Sequence, residues 1–220
     1  MNIIHDRPER EPLLPVRLLH TALRFINERI MFPRRYAFLA EELGPFLIGA
    51  ESILDVGSSN GKLISKLTAG HAGARVVGVD VVVQADSVIP IERYDGLTLP
   101  FADRSFDSVV LIDVLHHADD PPALLAEAAR VAKDHVLIKD HFFRNRLDWQ
   151  ILKWADYGGN APHGIRLPCN YLNLAAWQAA FESTKLEVLT QKPFTRYSYD
   201  PCQHIVFHLG KADRKPAVSA

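Results

Sequence analysis

The sequence predicts an α/β protein built on a mostly parallel sheet, and three observations carry that expectation. Ile53, Leu54 and Val56 form an apolar run of strand type that ends in a turn rich in glycine and serine, and Lys62-Leu63-Ile64-Ser65-Lys66-Leu67 then opens a helical pattern. Further strand-type runs follow at Arg75–Asp80, Phe106–Asp113 and His135–His141, with helix-type stretches among them. The run from Phe106 reads as a strand covered on both faces, which is the condition of a parallel sheet.

The bulk properties narrow the class. A chain of 220 residues with 48% apolar content can bury one good core and is short for two independent domains. The formal net charge of -1 supplies no general attraction to nucleic acid. Cys169 and Cys202 are the only cysteines, so there is neither a disulfide framework nor a CxxC metal site. The opening MNIIHDRPEREP is too charged for a signal peptide, and no apolar run approaches a membrane span, so a cytosolic protein is expected.

From the N-terminus, residues 1–15 are charged, contain Pro8, Pro12 and Pro15, and read as a loose arm. Leu18, Leu19, Ala22, Leu23, Phe25, Ile26 and Ile30 then form a stripe at helical spacing. A second helix is expected over Arg35 to Phe46, through Phe38, Leu39 and Leu43. Residues 1–48 are thus an arm plus helices that either pack against the sheet edge or cover an opening.

The turn after the first strand carries the most chemistry. Its glycines, Gly57 and Gly61, are spaced G-x-x-x-G, which differs from the G-x-G-x-x-G of a dinucleotide fingerprint. Asp55 just before them would repel a pyrophosphate but suits a cationic ligand. The second strand ends in Asp80, 19 residues after Gly61, where open α/β sheets place an acid against two ribose hydroxyls. Together these features favour an adenosine-containing cofactor. Gly78 either permits close approach of a ligand or serves packing.

Between Asp80 and Asp95 there is little room for a full helix, and a third strand is expected near Val88 to Glu92. Asp95 beside Gly96 is either a turn residue or a ligand of the cofactor. The fourth strand ends Ile112-Asp113-Val114-Leu115-His116-His117. Adjacent histidines are expected to point in different directions, and H-H-x-D-D does not match the H-E-x-x-H zinc spacing, so no metal is expected. Asp120 and Pro121 read as the N-cap and first residue of a helix through Leu124, Leu125, Ala128 and Val131.

The fifth strand brings Lys139, Asp140 and His141 to the sheet's C-terminal edge, with His141 a candidate general base and Asp140 its orienting partner. A merely solvated polar strand end is the rival reading. Residues 142–173 start helical and become an ordered loop crowded with Trp154, Tyr157, Asn160, His163 and Tyr171, a composition suited to a mostly apolar ligand with a few polar groups. A helix over Leu174 to Phe181, a strand over Leu186 to Thr190 and a last strand over Gln203 to Leu209 complete the pattern. Lys211 to Ala220 is expected to be disordered.

Asp55-Val56-Gly57-Ser58-Ser59-Asn60-Gly61 resembles the first motif of class I S-adenosylmethionine (SAM) methyltransferases. Asp95-Gly96-Leu97-Thr98-Leu99-Pro100-Phe101 with Ser105-Phe106-Asp107 is similar to the family's D-(A/G)-x-x-LPF…SFD segment. Leu115-His116-His117 and the C-terminal strand pair also resemble it, and WADYGGNAPHGIRLPCNY is similar to a segment of uncharacterised class I methyltransferases. The resemblance is strong over residues 50–140. One departure stands out: Lys133-Asp134 replaces the K-P-G-G turn that many relatives place before the fifth strand.

The resemblance implies a Rossmann-like three-layer sandwich, with a mostly parallel seven-stranded sheet and a C-terminal antiparallel hairpin, over residues 49–210. It implies SAM as cofactor, with Asp55, Gly57, Ser58 and Gly61 around its amino-acid end, Asp80 on the ribose, Asp95 and Gly96 at the adenine, and Asp113 at the fourth-strand end. Methyltransferases of this type often place N-terminal helices as a lid, residues 142–173 would recognise a small-molecule substrate, and where the acceptor must lose a proton His141, His117 or His116 is the candidate base. The expected reaction moves a methyl group to an oxygen, nitrogen or carbon of a small acceptor. A non-catalytic SAM-binding subunit or sensor, and an NAD-dependent oxidoreductase on a similar sheet, are the alternatives.

Overall fold

The computed structural model describes residues 21, 25–160, 167–194 and 200–212. The expected loose arm (1–15), the first helical stripe except Phe25, Ile26 and Ile30, and nearly all of the expected disordered tail (211–220) lie outside the described residues, as does His163.

Seven strands form one sheet in the order β3-β2-β1-β4-β5-β7-β6. They are β1 (Ser52–Val56), β2 (Arg75–Asp80), β3 (Ile91–Arg93), β4 (Phe106–Ile112), β5 (Ala132–His141), β6 (Leu186–Phe194) and β7 (His204–Lys211). β1 to β5 run parallel, while β7 pairs antiparallel with both β5 and β6. This is the seven-stranded sheet with a C-terminal antiparallel hairpin that the resemblance implies. No helix separates β2 from β3, and β3 is only three residues long.

The two-residue period of the strands divides the core into two faces. Ile53, Val110, Leu137 and Val206 face one side, where α1 (Phe32–Leu43) and α2 (Lys62–Leu67) cover them through Leu39, Leu43, Ile64 and Leu67. Leu54, Val109, Val136 and Phe207 face the other side, under α3 (Pro121–Val131) and α5 (Leu174–Thr184), through Leu124, Leu125, Trp177 and Phe181. Each such side chain contributes roughly 1.5–3 kcal/mol by leaving water, so both helical layers are needed to cover a sheet buried on two faces. α1 therefore packs on the face of the sheet, not on its edge.

Local chemistry sets the helix ends. Asp120 caps α3 by accepting a hydrogen bond from the Ala123 N–H at 3.0 Å, with Pro121 next in line, and Asn173 caps α5 through the Ala176 N–H at 2.8 Å. α4 (Arg146–Asn160) is longer than the sequence suggests, because it continues through Gly158 and Gly159 to Asn160. No helix among the described residues is long and apolar enough to cross a membrane.

Candidate active site

The C-terminal ends of β1, β2, β4 and β5 open onto a single cleft of about 2010 Å³. It runs from the loop after β1 to α4, and α1 borders it through Arg35 and Tyr36. Parallel strands reverse their order between β1 and β4, and the crevice at that switch point is where such sheets bind ligands.

At one end stand the residues that the sequence assigned to a cofactor. Gly57 and Gly61 have φ of +72° and +76°, so the turn needs residues without a Cβ. A Cβ on Gly57 would lie 2.5 Å from Val114, and one on Gly61 would lie 2.5 Å from Ile89. The glycines thus make room for neighbouring side chains, not directly for a ligand. Gly78 is a packing glycine of the same kind, tight against the Ser58 hydroxyl. The Gly57 and Ser58 N–H groups both donate to the Val79 carbonyl, which ties the turn to the second strand.

Two carboxylates are fixed on this rim by backbone donors. Asp80 accepts from the Ser59 N–H at 2.7 Å and the Val82 N–H at 3.0 Å. Asp95 accepts from the N–H groups of Leu97 and Thr98, both on Oδ1, and these bonds hold its carboxyl below the usual range. Asp95 is therefore a turn residue, beside Gly96 at φ +85°, and it also faces the cleft. Asp55 lies beneath them, buried, accepting from the Ser58 hydroxyl at 2.6 Å. Burial pushes its carboxyl up to about 7, against the opposing Ser58 bond.

The set fits an adenosyl sulfonium ligand: half-buried Asp80 and exposed Asp95 for hydroxyl and amino donors, and an acid at the head of the turn for an ammonium. Nothing along this rim cradles a pyrophosphate, since Asp55 and Asp80 both line it.

Asp113 occupies the middle of the cleft in a left-handed conformation, φ +55°. Its carboxylate is taken up by Arg35 of α1 and Lys139 of β5, each at 2.5 Å. Burial pushes this carboxyl up, but Lys139 and Arg35 overcome that and hold it well below the usual range. Asp113, expected to bind the cofactor, lines the cleft with its charge already met by two cations of this chain. The sequence offered no signal for Arg35, which lies 78 residues away.

The far end is a histidine–aspartate cluster. His116 is buried, and its Nδ1 lies 2.5 Å from Asp140 Oδ1. Burial would lower the imidazole's pKa, but the Asp140 charge and bond, with help from Asp156, raise it to about 10. Asp140 was expected to orient His141; its carboxylate lies closest to His116, and it meets His141 through the backbone N–H at 2.7 Å, with the His141 ring Nδ1 3.7 Å away. His116 and His117 were expected to diverge. The 3-10 turn Leu115–His117 instead places their rings 4.1 Å apart at the centroids, with both Nε2 atoms 3.7 Å from Asp156 Oδ1. His141 Nδ1 lies 3.4 Å from Asp113 Oδ1 without a hydrogen bond, and burial followed by the Lys139 charge lowers its pKa.

α4 presents two different faces. Leu152, Ala155, Asp156 and Gly159 follow the i, i+3, i+4, i+7 rule and line the cleft, together with Asn160. Trp154 and Tyr157 fall between these positions and are 67% and 49% exposed, so they do not line the cleft. This corrects their expected role in substrate binding. Tyr171 is buried and donates from its hydroxyl to Asp156 Oδ2 at 2.8 Å. Asp156 itself was missed by sequence reasoning, although its spacing from Leu152 and Gly159 marks the inner face of the helix.

Comparisons with known proteins agree with this geometry. Residues 54–138 match the family model described as methyltransferase domain. A demethylmenaquinone methyltransferase from Corynebacterium efficiens is 33% identical over 121 residues, covering 53% of this chain and 49% of that protein. O-methyltransferase cnsE from Penicillium expansum is 34% identical over 110 residues, covering 43% and 40%. The chain thus spans between 38% and 49% of the length of the curated relatives it matches.

Among solved structures, a geranyl diphosphate C-methyltransferase from Streptomyces coelicolor A3(2) superposes with a TM-score of 0.62 at 14% identity, covering 78% of each chain. A SAM-dependent methyltransferase from Thermotoga maritima, described as a possible histamine N-methyltransferase, gives 0.59 at 17% identity, covering 89% of this chain and 99% of that one. At such identities the likeness establishes the fold. The fold is thus that of these SAM-dependent methyltransferases, and residues 54–138 carry the sequence match to a methyltransferase domain.

Proposed function

We propose that this protein transfers the methyl group of SAM to an oxygen, nitrogen or carbon nucleophile of a small-molecule acceptor. The observation that carries the proposal is the alignment of Asp55, Asp80 and Asp95 along one rim of a cleft that continues to the His116–His141 end. When bound, SAM supplies a sulfonium methyl and its own leaving group, so the protein's task is alignment and exclusion of water. Asp80 would accept the ribose hydroxyls, Asp95 the adenine amino group, and Asp55 the ammonium of the amino-acid end, with Ser58, Gly57, Gly61 and Gly96 shaping the loops.

His141 is the group best suited to accept a proton from the acceptor, since its lowered pKa keeps the imidazole neutral at pH 7 and its Nδ1 has no hydrogen bond. His116 is committed to Asp140 and is less suited. The acceptor end is walled by α4, Tyr171 and α1, which supports a compact, partly apolar substrate; the net charge of -1 speaks against nucleic acid. The relatives' names, which include a menaquinone precursor and an O-methyltransferase, agree with a small acceptor. Free cysteines and the absence of a long apolar helix among the described residues accord with a cytosolic location.

The test is calorimetric binding of SAM and S-adenosylhomocysteine to wild type and Asp80→Ala, followed by release of S-adenosylhomocysteine in the presence of candidate acceptors. Micromolar binding lost in the variant, with acceptor-dependent turnover, is expected. No binding by folded wild-type protein would overturn the reading.

A further inference from the structure

The acceptor end of the cleft contains more organised polar chemistry than methyl transfer from a sulfonium requires. We propose that His116, His117 and Asp156 form a binding site for a divalent transition-metal cation of the zinc type, open on one side to the cleft.

Three observations support the site. First, the donor atoms converge: one nitrogen of each histidine and an Asp156 oxygen all lie within 4.8 Å of one another. Both histidine Nε2 atoms stand 3.7 Å from Asp156 Oδ1. Zinc bonds to nitrogen and oxygen of roughly 2.0–2.1 Å set tetrahedral donors about 3.4 Å apart, so these pairs need to close by only a few tenths of an ångström.

Second, each buried donor is oriented from behind. Asp140 Oδ1 lies 2.5 Å from His116 Nδ1, which fixes the ring with Nε2 toward Asp156. Tyr171 donates to Asp156 Oδ2 at 2.8 Å, and Oδ1, which accepts from the Asn160 side-chain amide, stands between that amide and the histidines. A carboxylate behind a ligating histidine and a hydrogen bond to a ligating carboxylate are the supports that metal sites use to set tautomer and aim. Third, Asp140 is 1% exposed and its Oδ2 has no hydrogen-bond partner. A buried carboxylate left half unsatisfied is costly unless a cation stands close by.

The donor set selects the ion. Two imidazoles and one carboxylate suit zinc and its first-row neighbours, whereas magnesium and calcium prefer all-oxygen shells. Three protein donors leave a coordination position on the cleft side, where the ion would take an oxygen of the acceptor; this last clause alone rests on the methyl-transfer reading.

The site is tested on the untagged full chain, stripped with chelator and dialysed. Zinc alone is titrated by calorimetry, metal content is measured after equilibration, and cobalt is added to look for the visible absorption of a tetrahedral ion. One equivalent of zinc is expected, weakened at least 100-fold in His117→Ala and Asp156→Asn. Tyr171→Phe, which removes only the supporting hydroxyl, should weaken it 10- to 100-fold. Circular dichroism of each variant excludes misfolding as the cause. Asp80→Ala should keep zinc while losing SAM, so failure of the metal site and failure of the cofactor reading give different patterns. Absence of stoichiometric zinc in folded wild type, or unchanged zinc affinity in both His117→Ala and Asp156→Asn, would overturn the proposal.

Discussion

Lys139 of β5 reaches across to Asp113 at the end of β4, and their charged atoms meet at 2.5 Å with side chains only 3% and 14% exposed. The contact continues the strand pairing, because the Asp113 N–H also donates to the Lys139 carbonyl at 2.7 Å. Arg35 completes the arrangement from α1. A helix that packs Leu39 and Leu43 onto the sheet thus also places a cation in the cleft. The helix weighed from the sequence as packing or lid thus packs on the sheet and borders the cleft.

Asp113→Asn should destabilise the fold by about 3–5 kcal/mol, because it leaves Lys139 buried without its counter-charge. Urea denaturation of the variant should show a lower midpoint with an unchanged slope. Adding Lys139→Met should restore much of the loss, since removing both charges costs far less than stranding one. A double variant no more stable than Asp113→Asn would show that the charge pair is not the origin of the effect.

The sheet was legible because strand and helix periods are local. The runs at 52–56, 75–80 and 106–112 are written in consecutive apolar residues, and Asp120-Pro121 marks a helix start by side-chain chemistry alone. β6 was harder: it extends to Phe194, not Thr190, because it pairs only with β7 and most of its residues are exposed at the sheet edge. α4 runs on through Gly158-Gly159 to Asn160, whose side chain bonds Asp156, despite a propensity cost of roughly 1 kcal/mol per glycine that argues for a loop there. The shared rim of Asp55, Asp80 and Asp95 could be anticipated because these acids sit at or just beyond strand ends. The histidine–aspartate cluster was not, because Asp140 lies 24 residues from His116 and Asp156 arrives from a helix whose facing depends on the fold.

Opposite faces of α4 should respond differently to substitution. Trp154→Ala, on the solvent side, should change stability by no more than about 0.5 kcal/mol and leave acceptor turnover within about two-fold. Tyr171→Phe, which removes the hydroxyl bonded to Asp156 of the inner face, should keep the fold while lowering turnover or raising the acceptor KM. Equal effects of the two changes would contradict the assignment of the inner face.

His141→Gln should separate binding from chemistry. With an acceptor that must lose a proton, the turnover number should fall by roughly 10²–10⁴-fold, the usual contribution of a positioned base. SAM affinity should stay within about two-fold, since His141 stands at the other end of the cleft from Asp80. Full turnover by the variant would remove His141 from the mechanism.

Asp55 gives the protein a pH dependence near neutrality. Its buried carboxyl titrates at about 7, whereas an unfolded chain's titrates at the ordinary aspartate value of 3.8. The folded state therefore holds the extra proton, so this group's stabilising contribution is complete below pH 3.8 and declines as pH rises to about 7, with no further loss above. At about 1.4 kcal/mol per unit, the decline amounts to about 4 kcal/mol. Asp55→Asn should remove it, so the variant's stability relative to wild type should improve from pH 5 to pH 8.

The same proton should appear in cofactor binding. An ammonium beside Asp55 favours the carboxylate, so SAM should displace the proton below pH 7, and affinity should climb with pH before levelling above it. Calorimetry at pH 6 in buffers of different ionisation enthalpy would register that proton release, and the Asp55→Asn profile should be flat. A wild-type affinity that does not change between pH 5.5 and 8 would separate Asp55 from the ammonium and leave it as a buried support of the turn, bonded to Ser58 alone.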